Sequence, residues 1–270
     1  MSPTVVHVAP HPDDEALGCP GVLLHLRDRG WRVVSVIASL GFPDQWERRR
    51  AEFEEASQRA RFVPVFLDPP LDISLHDDLD GAADRVAAEL PQIVAAYDAS
   101  VVVSPSPHDV HHGHECVARG VQRAMDALPP SVRWWMWGIW GDLPTPNTFY
   151  AFGEPDLARM LHILEAYEGE LERNDYRRLL TGRSTINAVL GSERVFGFGS
   201  SAASHLPYAE VLTEVRRVGQ RWIASEGHHL DDGPLEATQF DVDLTAWVES
   251  PSVHQVVGPI REVHVDDAAR

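Results

Sequence analysis

The fold class of this sequence is indicated most clearly by one stretch near its start, Val5-Val6-His7-Val8-Ala9-Pro10-His11-Pro12-Asp13-Asp14-Glu15. Its first five residues are an apolar run typical of a buried strand, and helical periodicity starts directly after the polar turn. The two prolines stiffen that turn, so the histidine and the acidic residues are held in a fixed loop. The stretch therefore predicts a strand–loop–helix unit with polar side chains at its turn.

Short apolar runs and helical stretches continue to alternate through the first half of the chain. Strands are predicted at Val5–Ala9, Arg32–Ser39, Val63–Leu67, Ala99–Pro105 and Arg133–Gly138. Helices are predicted at Glu15–Arg29, Asp44–Arg61, Gly81–Tyr97 and His114–Ala127. The alternation predicts an α/β fold, a Rossmann-like, mainly parallel sheet with helices on both faces. In such sheets the ligand site lies in the loops that follow the carboxyl ends of the strands.

The composition changes after Gly141, where the proline-rich run Leu143-Pro144-Thr145-Pro146-Asn147 indicates a break. We therefore expect a catalytic core at residues 1–141 and a lid or capping region at residues 142–270, which returns to the core. Within the second region the apolar spacing predicts one long helix at Pro155–Leu180 and another helix at Pro207–Ile223.

Length and charge limit the possible functions. The 270 residues suffice for one large domain, or for a core with an added lobe. The net charge of −18 argues against a nucleic-acid partner, because phosphate backbones are bound by clustered Lys and Arg. No apolar run approaches the roughly 20 residues of a membrane helix, and no signal peptide is indicated. The expected partner is a small molecule, and the expected location is the cytoplasm.

A second polar cluster, Pro107-His108-Asp109-Val110-His111-His112-Gly113-His114-Glu115, follows the apolar strand Val101-Val102-Val103. It holds four of the chain's 14 histidines within seven residues. Imidazole is the commonest metal-ligating side chain, and a parallel sheet can bring two strand-end loops together. The two polar clusters are therefore expected to share one site.

The residue types of the two clusters favour hydrolytic metal chemistry. Two histidines and one carboxylate form a ligand set associated with catalytic zinc, which leaves a fourth position for water. Such a site also needs a general base and an oxyanion donor, and Asp13 and His111 suit these two roles. The acidic residues after Pro12 also fit a second interpretation, in which they only cap a helix.

A strand entering His-Pro-Asp-Asp-Glu, followed later by His-x-x-His, resembles the PIG-L/LmbE-like family of zinc-dependent N-acetylglucosaminyl de-N-acetylases. The resemblance extends through residues 1–125, with a weaker similarity at Tyr208-Ala209-Glu210. It implies a Zn²⁺ cofactor, although another divalent metal also fits. The resemblance implies that the metal ligands are His11, Asp14 and His114, that Asp13 is the base, and that His111 is the oxyanion donor or acid.

The second motif departs from the family pattern, which commonly reads His-Pro-Asp-His. This chain has His111-His112-Gly113-His114, so the outer histidines are kept and the middle pair differs. His108 and His112 are close neighbours along the chain. Either of them is an alternative to His111 for its role.

Two further positions resemble substrate-binding residues of the family. Arg49 lies in an Arg-x-x-Glu pattern on a predicted helix, and Asp72 follows the third predicted strand. For each of these two roles, other residues nearby in the sequence are alternatives. The alternatives are Arg48 and Arg50 for the arginine, and Asp68 and Asp77 for the aspartate.

Four tryptophans, Trp134, Trp135, Trp137 and Trp140, crowd the segment 134–140. The alternation of Trp135 and Trp137 indicates one face of a buried strand, so core packing is the favoured interpretation. The alternative is an aromatic wall for a sugar-bearing ligand beneath a lid. Family members that act on glycopeptide antibiotics, such as teicoplanin-type pseudoaglycones, carry elaborations of this sort.

The residue types predict a metal-dependent hydrolase, and the resemblance implies that it removes the acetyl group from an N-acetylglucosaminyl substrate. The substrate would be a glycosylated natural product, such as a glycopeptide pseudoaglycone, or a small molecule linked to N-acetylglucosamine. One alternative is an amidase of the mycothiol-conjugate type with the same site. Another is a metal- or sugar-binding protein without turnover, for which Asp13 would have no use.

Overall fold

The computed structural model describes residues 2–73, 79–230 and 241–257, which form one ten-stranded sheet and its covering helices. The strands are β1 (Thr4–Ala9), β2 (Arg32–Ile37), β3 (Val63–Phe66), β4 (Val101–Pro105), β5 (Arg133–Trp137), β6 (Thr148–Phe152), β7 (Tyr208–Val218), β8 (Arg221–Ala224), β9 (His228–His229) and β10 (Val242–Asp243). The helices are α1 (Asp14–Leu17), α2 (Pro20–Asp28), α3 (Trp46–Ala60), α4 (Leu79–Tyr97), α5 (His112–Ala124), α6 (Glu154–Leu164), α7 (Glu168–Arg173), α8 (Tyr176–Ile186), α9 (Ser192–Phe196), α10 (Thr245–Val248) and α11 (Val253–Val257). A π-helical turn, Asn187–Gly191, joins α8 to α9.

The five strands predicted in the first half of the chain form a parallel sheet in the order β3-β2-β1-β4-β5. At its edge β7 pairs antiparallel with β5, and β8 and β10 extend the sheet. Val5 of β1 is in register with Val33 of β2 and with Val101 of β4. The predicted α/β class with a mainly parallel sheet is therefore confirmed.

Successive valines of each central strand enter two different cores, as the period of two of a strand requires. Val5 and Val101 pack with residues of α2, α3, α6 and α8 on one face. Val6 and Val102 pack with residues of α4 and α5 on the other face. Helices thus cover both faces of the sheet, and burial on both faces explains the near-continuous apolar runs of the strands.

The long helix predicted at Pro155–Leu180 is wrong, because the chain forms α6, α7 and α8 there. Tyr167 lies between the first two helices and is fully buried, so the chain turns to place it in the core. Asp175 caps α8 through a bond from the Arg178 N–H to its carboxylate, which favours a new helix start. The burial of Tyr167 and the cap at Asp175 therefore divide this stretch into three helices.

The helix predicted at Pro207–Ile223 is also wrong, since this stretch is the hairpin β7–β8. The β-branched residues Val211, Thr213 and Val215 favour a strand. Gly219 has φ 63°, a left-handed conformation that lets the chain reverse between the two strands. Successive parts of β7 pair with β6, β5 and β8, so every residue of the strand has a partner, and this pairing outweighs its apparent helical spacing.

The remaining expectations concern helix ends, tryptophans and the lid region. The helix predicted at Glu15–Arg29 is divided at Gly18, where any Cβ would lie 2.6 Å from the indole of Trp137. Core packing is confirmed for Trp134, Trp135 and Trp137, whereas Trp140 is 43% exposed.

The boundary at residues 141 and 142 stays a prediction, and the parts 231–240 and 258–270 of the predicted lid region lie outside the described residues. No helix in the described part of the chain is long and apolar enough to cross a bilayer.

Candidate metal centre and active site

The two polar clusters lie at the carboxyl ends of β1 and β4, which are neighbours in the sheet. From this pair, β2 and β3 continue to one side, and β5 continues to the other. This reversal of strand order is a topological switch point, where open α/β sheets form their ligand crevice. The two polar clusters therefore lie close together at this end of the sheet, as the sequence predicts.

Each of the two loops contains a residue with positive φ that is not glycine. Asp13 has φ 114° at the start of α1, and Val110 has φ 62° directly before His111. Such a conformation is costly for an ordinary side chain, most of all for a β-branched one. Strained backbone of this kind is found mostly at functional sites. Both turns are therefore candidates for positioning functional side chains.

Three histidines and one carboxylate converge at this point. One nitrogen of each of His11, His111 and His114 can be chosen so that all three lie within 4.8 Å of one another. Asp14 lies between two of these rings, with Oδ1 3.1 Å from Nε2 of His114 and Oδ2 3.4 Å from Nδ1 of His11. The donor set thus contains the histidine and carboxylate types that catalytic zinc sites use.

The electrostatics of His114 also suit a cation. Burial opposes its protonation, yet the charges of Asp14 and Asp109 and their hydrogen bonds raise its pKa to about 10. Burial also disfavours ionised Asp14, but His114 and His11 hold the pKa of this carboxyl well below its usual range. A buried carboxylate that faces imidazole nitrogens in this way is a place where positive charge is strongly stabilised.

Asp109 orients His114 and was not singled out from the sequence. This fully buried carboxylate places Oδ2 2.6 Å from Nδ1 of His114, which leaves Nε2 of that ring for a metal. Its Oδ1 accepts hydrogen bonds from three consecutive backbone N–H groups, those of Ile139, Trp140 and Gly141, at 2.8–2.9 Å. One side chain therefore holds both a candidate ligand and the loop after β5.

His111 has one ring nitrogen bonded to the backbone at the start of α5. It caps α5, and its Nδ1 accepts a bond from the Gly113 N–H at 3.2 Å. Burial and the neighbouring histidines hold its pKa well below the usual range, so the ring is neutral. A neutral ring that accepts at Nδ1 carries its proton on Nε2, and a protonated Nε2 cannot bind a metal.

His108 and His112, the two alternatives to His111, form hydrogen bonds outside the cluster of three histidines. Nε2 of His108 lies 2.7 Å from the carbonyl of Trp247, so this ring faces α10. His112 is buried behind His111, stacked on it with ring centroids 4.6 Å apart, and its Nε2 lies 3.4 Å from the carbonyl of Ile73. Neither ring belongs to the cluster of three histidines.

Asp13 precedes the candidate ligand Asp14, and the charge of Arg49 acts on Asp13. Asp13 is buried, and burial together with the charges of Asp14 and Glu170 raises its pKa well above the usual range, against the opposing charge of Arg49. The guanidinium of Arg49 is 11% exposed and lies 2.9 Å from Glu170 of α7. The other two arginines point elsewhere, because Arg48 pairs with Glu52 and Arg50 lies over the ring of Phe66.

The residues around Asp13 form a wall that the sequence pattern does not predict. Glu170 accepts two hydrogen bonds from Arg173, which in turn donates to the hydroxyl of Tyr176. Tyr167 donates to the buried carboxylate of Glu15, whose pKa burial raises to about 7. All of them except Glu15 come from the stretch that the spacing predicts as one long helix. That prediction gives no sign that these particular side chains lie near Asp13.

The predicted aspartate after β3 is not brought into this cluster by the described contacts. Asp72 is exposed, between the buried Leu71 and Ile73, and its rival Asp68 is exposed as well. Asp77, the third alternative, lies outside the described residues. The substrate role of Asp72 stays a prediction.

Gly113 leaves space that His11 fills, which gives a testable consequence. A Cβ at this position would lie 2.9 Å from Cε1 and 3.1 Å from Nε2 of His11. We expect Gly113→Ala to displace that ring and to lower zinc affinity at least tenfold in a chelator competition assay, since ligand geometry decides affinity. Gly182→Ala is the control, because it adds a Cβ inside α8 with nothing within 4 Å. Equal zinc affinities of the two variants would contradict the prediction.

The first part of the chain matches a known family model, and a longer part matches a named relative. The PIG-L family model, described as GlcNAc-PI de-N-acetylase, matches residues 6–125, the segment that carries both polar clusters. A Bacillus cereus protein named probable N-acetyl-alpha-D-glucosaminyl L-malate deacetylase 2 is 27% identical over 192 residues, which are 63% of this chain and 80% of that protein.

Solved structures share the fold at low sequence identity. A zinc-inhibited form of a teicoplanin deacetylase superimposes with a TM-score of 0.58 at 16% identity, over 80% of this chain and 99% of that one. The 4-carboxy-2-hydroxymuconate hydratase of Pseudomonas putida KT2440 superimposes with a TM-score of 0.59 at 14% identity, over 78% of this chain and 95% of that one. Because one of these proteins is a hydrolase and the other a hydratase, the fold alone does not decide the reaction.

Proposed function

We propose, from the match of residues 6–125 to the PIG-L family model, that the protein is a zinc-dependent hydrolase that removes the acetyl group from an N-acetylglucosaminyl substrate. The observation that carries the proposal is the burial of Asp13, whose neighbour in the chain, Asp14, contacts both His11 and His114. A site that only binds a metal needs the ligands and has no use for an additional carboxylate of raised pKa.

In the proposed site His11, Asp14 and His114 hold the metal. His114 presents Nε2, because Asp109 engages its other nitrogen, and Asp14 lies within 3.4 Å of both imidazole rings. Zinc, when bound, supplies an acidified water and polarises the amide carbonyl. The remaining chemistry falls to the side chains around it.

Asp13 acts as the general base in this mechanism. It takes a proton from the water as the water oxygen forms a bond to the acetyl carbon, and the Nε2–H of His111 donates to the developing oxyanion. When the C–N bond breaks, Asp13 returns the proton to the amine nitrogen, and acetate is released. A carboxyl group whose pKa is raised by burial is suited both to taking and to giving this proton.

The proposed substrate is a glycosylated natural product, such as a glycopeptide pseudoaglycone, or a small molecule linked to N-acetylglucosamine. The B. cereus relative and the teicoplanin deacetylase support this range by their names. The proposed sugar contacts are Arg49, whose charge acts on Asp13, and Asp72. An amidase that removes a different acyl group is the close alternative, because the same groups would serve it.

Mass spectrometry of amine release tests the proposal. Zinc-loaded protein is incubated with a glycopeptide pseudoaglycone, an N-acetylglucosaminyl inositol, an N-acetylglucosaminyl malate and a cysteinyl amide of glucosaminyl inositol. Loss of one acetyl group that stops on chelation and returns with zinc is the expected result. Turnover of the cysteinyl amide alone would replace the proposal by the amidase alternative, and stoichiometric zinc without turnover would favour the binding protein. Water addition to an unsaturated acid such as 4-carboxy-2-hydroxymuconate would instead indicate a hydratase.

Arg49 gives a prediction on substrate binding. Arg49→Ala removes the guanidinium beside Asp13, and we expect KM for the acetylated sugar to rise about tenfold or more while zinc affinity stays unchanged. Arg50→Ala is the matched control, because Arg50 is exposed and lies over Phe66. Steady-state kinetics would contradict the role of Arg49 if both variants gave the same KM.

A further inference from the structure

Two arginines, Arg183 of α8 and Arg194 of α9, line one cavity. Their side chains are only 29% and 18% exposed, yet in the part of the chain that the structure describes neither guanidinium donates a hydrogen bond to the protein. Arg133 is buried to a similar extent, at 22% exposure, and donates to Glu214 at 2.6 Å. Because a guanidinium carries five N–H donors, Arg183 and Arg194 bring unused donors to the cavity.

A third polar side chain, that of Asn187, lines the same cavity one turn after Arg183. Its amide group forms no hydrogen bond within residues 2–73, 79–230 and 241–257. Asn187 begins the π-helical turn between α8 and α9, a rare form of helix that occurs frequently at functional sites. The rest of the cavity wall comes from the end of α1, the loop after β5 and β7. Three side chains with unused donors therefore share one cavity.

Among the described residues, Asp142 is the charged partner of both arginines. Its Oδ1 lies 3.5 Å from Nη2 of Arg183, and its Oδ2 lies 3.9 Å from Nη1 of Arg194. Both distances exceed the 2.7–2.9 Å or so of a charge-assisted hydrogen bond. The Asp142 side chain is 66% exposed, so solvent weakens both ion pairs. Two cations thus share one exposed carboxylate, and their charge is only partly compensated.

Glu210, the other carboxylate that lines the cavity, is engaged by a different element. Its Oε1 and Oε2 accept hydrogen bonds from the backbone N–H groups of Gly21 and Val22 at the start of α2, each at 2.8 Å. Burial raises the pKa of this carboxyl to about 7, which further limits its negative charge at neutral pH. In the described part of the chain no salt bridge joins it to Arg183 or Arg194, so Glu210 does not satisfy their donors.

We propose that Arg183, Arg194 and Asn187 form a binding site for an oxyanion group, a phosphate or a carboxylate. None of the proposed metal ligands or catalytic residues lines this cavity, so the site is distinct from the reaction site. A guanidinium binds such a group through two parallel N–H···O bonds, and the amide adds a further donor. The bound group replaces Asp142, whose exposed carboxylate turns to solvent. In a chain of net charge −18, the two arginines attract an anion that most of the surface repels.

Calorimetric titration of the zinc-loaded protein with inorganic phosphate tests the inference. We expect Arg183→Ala and Arg194→Ala each to weaken phosphate binding about tenfold or more, because each removes charge-assisted hydrogen bonds. Asp142→Asn should strengthen binding about threefold or more, since it removes the competing carboxylate. A gain of affinity does not arise from loss of folded protein, so this variant separates a binding role from a structural one.

Two further variants control for position and for net charge. Arg178→Ala removes an arginine of α8 that is 87% exposed and does not line the cavity. Glu165→Gln removes a carboxylate that pairs with another arginine of α8, and it changes the net charge as Asp142→Asn does. We expect both to bind phosphate like the wild type. The inference is overturned if the wild type, Arg183→Ala and Arg194→Ala bind phosphate equally, or if Glu165→Gln gives the same gain as Asp142→Asn.

A second titration identifies the source of the anionic group. N-acetylglucosamine 1-phosphate, N-acetylglucosamine and inorganic phosphate are compared on Asp13→Asn, so that binding is measured without turnover. Binding of the sugar phosphate that is tighter than that of either part, and that is lost on adding Arg194→Ala, would assign the anionic group to the sugar ligand. Equal affinities of the sugar phosphate and phosphate, again lost with Arg194→Ala, would assign the site to a separate small anion. Both results support the anion site, and the amine-release assay decides the proposed function independently.

Discussion

Asp13→Asn should reduce kcat/KM for amine release by a factor on the order of 10²–10⁴ while the protein keeps its zinc. The amide has the shape of the carboxylate but cannot take the proton from water. Asparagine also tolerates positive φ better than most residues, so the φ of 114° at this position is accommodated. The thermal midpoint should rise, because a buried carboxyl group beside Asp14 and Glu170 becomes neutral.

Three measurements on one preparation check this expectation: kcat/KM, zinc content by elemental analysis, and the thermal midpoint. Asp98→Asn is a close control, since Asp98 is exposed, has φ 51° and precedes β4 at the edge of the sheet opposite the site. Zinc loss in parallel with activity would show that Asp13 supports the ligands and is not the base. Full activity would remove Asp13 from the mechanism.

Asp109→Asn should lower zinc affinity about 10–100-fold, with activity at limiting zinc falling accordingly. The amide oxygen can still accept from the N–H groups of Ile139, Trp140 and Gly141. Its NH₂ group then faces Nδ1 of His114, which must become an acceptor. The ring proton moves to Nε2, the nitrogen that the metal needs.

Asp109→Ala separates the two tasks of this carboxylate. The alanine variant loses the bond to His114 and also leaves three loop N–H groups without their acceptor, at a cost of about 1–3 kcal/mol for each one that stays buried. We expect weak zinc binding in both variants but a clear drop in the thermal midpoint only for alanine. Zinc affinity of the asparagine variant within twofold of the wild type would refute the positioning role.

The parallel part of the sheet could be read from the sequence because its signals are local. Runs such as Val101-Val102-Val103 are apolar on both faces, as central strands covered by helices require, and each ends in a polar loop. The two polar clusters were expected together because neighbouring parallel strands end at one edge of the sheet. Their convergence in the structure follows from the pairing of β1 with β4.

The surroundings of the site depend on contacts that sequence spacing does not encode. Asp109 is engaged by a loop that begins 30 residues later, and the fit requires glycine at two positions of that loop. Glu170 reaches Arg49 only because the chain breaks on both sides of α7. In β7 the spacing of the apolar residues predicts one helix face, but pairing with three other strands outweighs that pattern.

The neighbouring positions of β1 and β4 also determine when the site can form during synthesis. His11 and Asp14 follow the first strand, whereas His114 enters only with α5, after the chain has passed through three further strands, β2, β3 and β4, and the helices α2, α3 and α4. Domains emerge from the ribosome with their N-terminus first, and contacts distant in sequence close late. A nascent chain that ends before α5 therefore carries only part of the proposed ligand set. Zinc would be captured after β4 has docked on β1, so its uptake would report the completion of the central sheet.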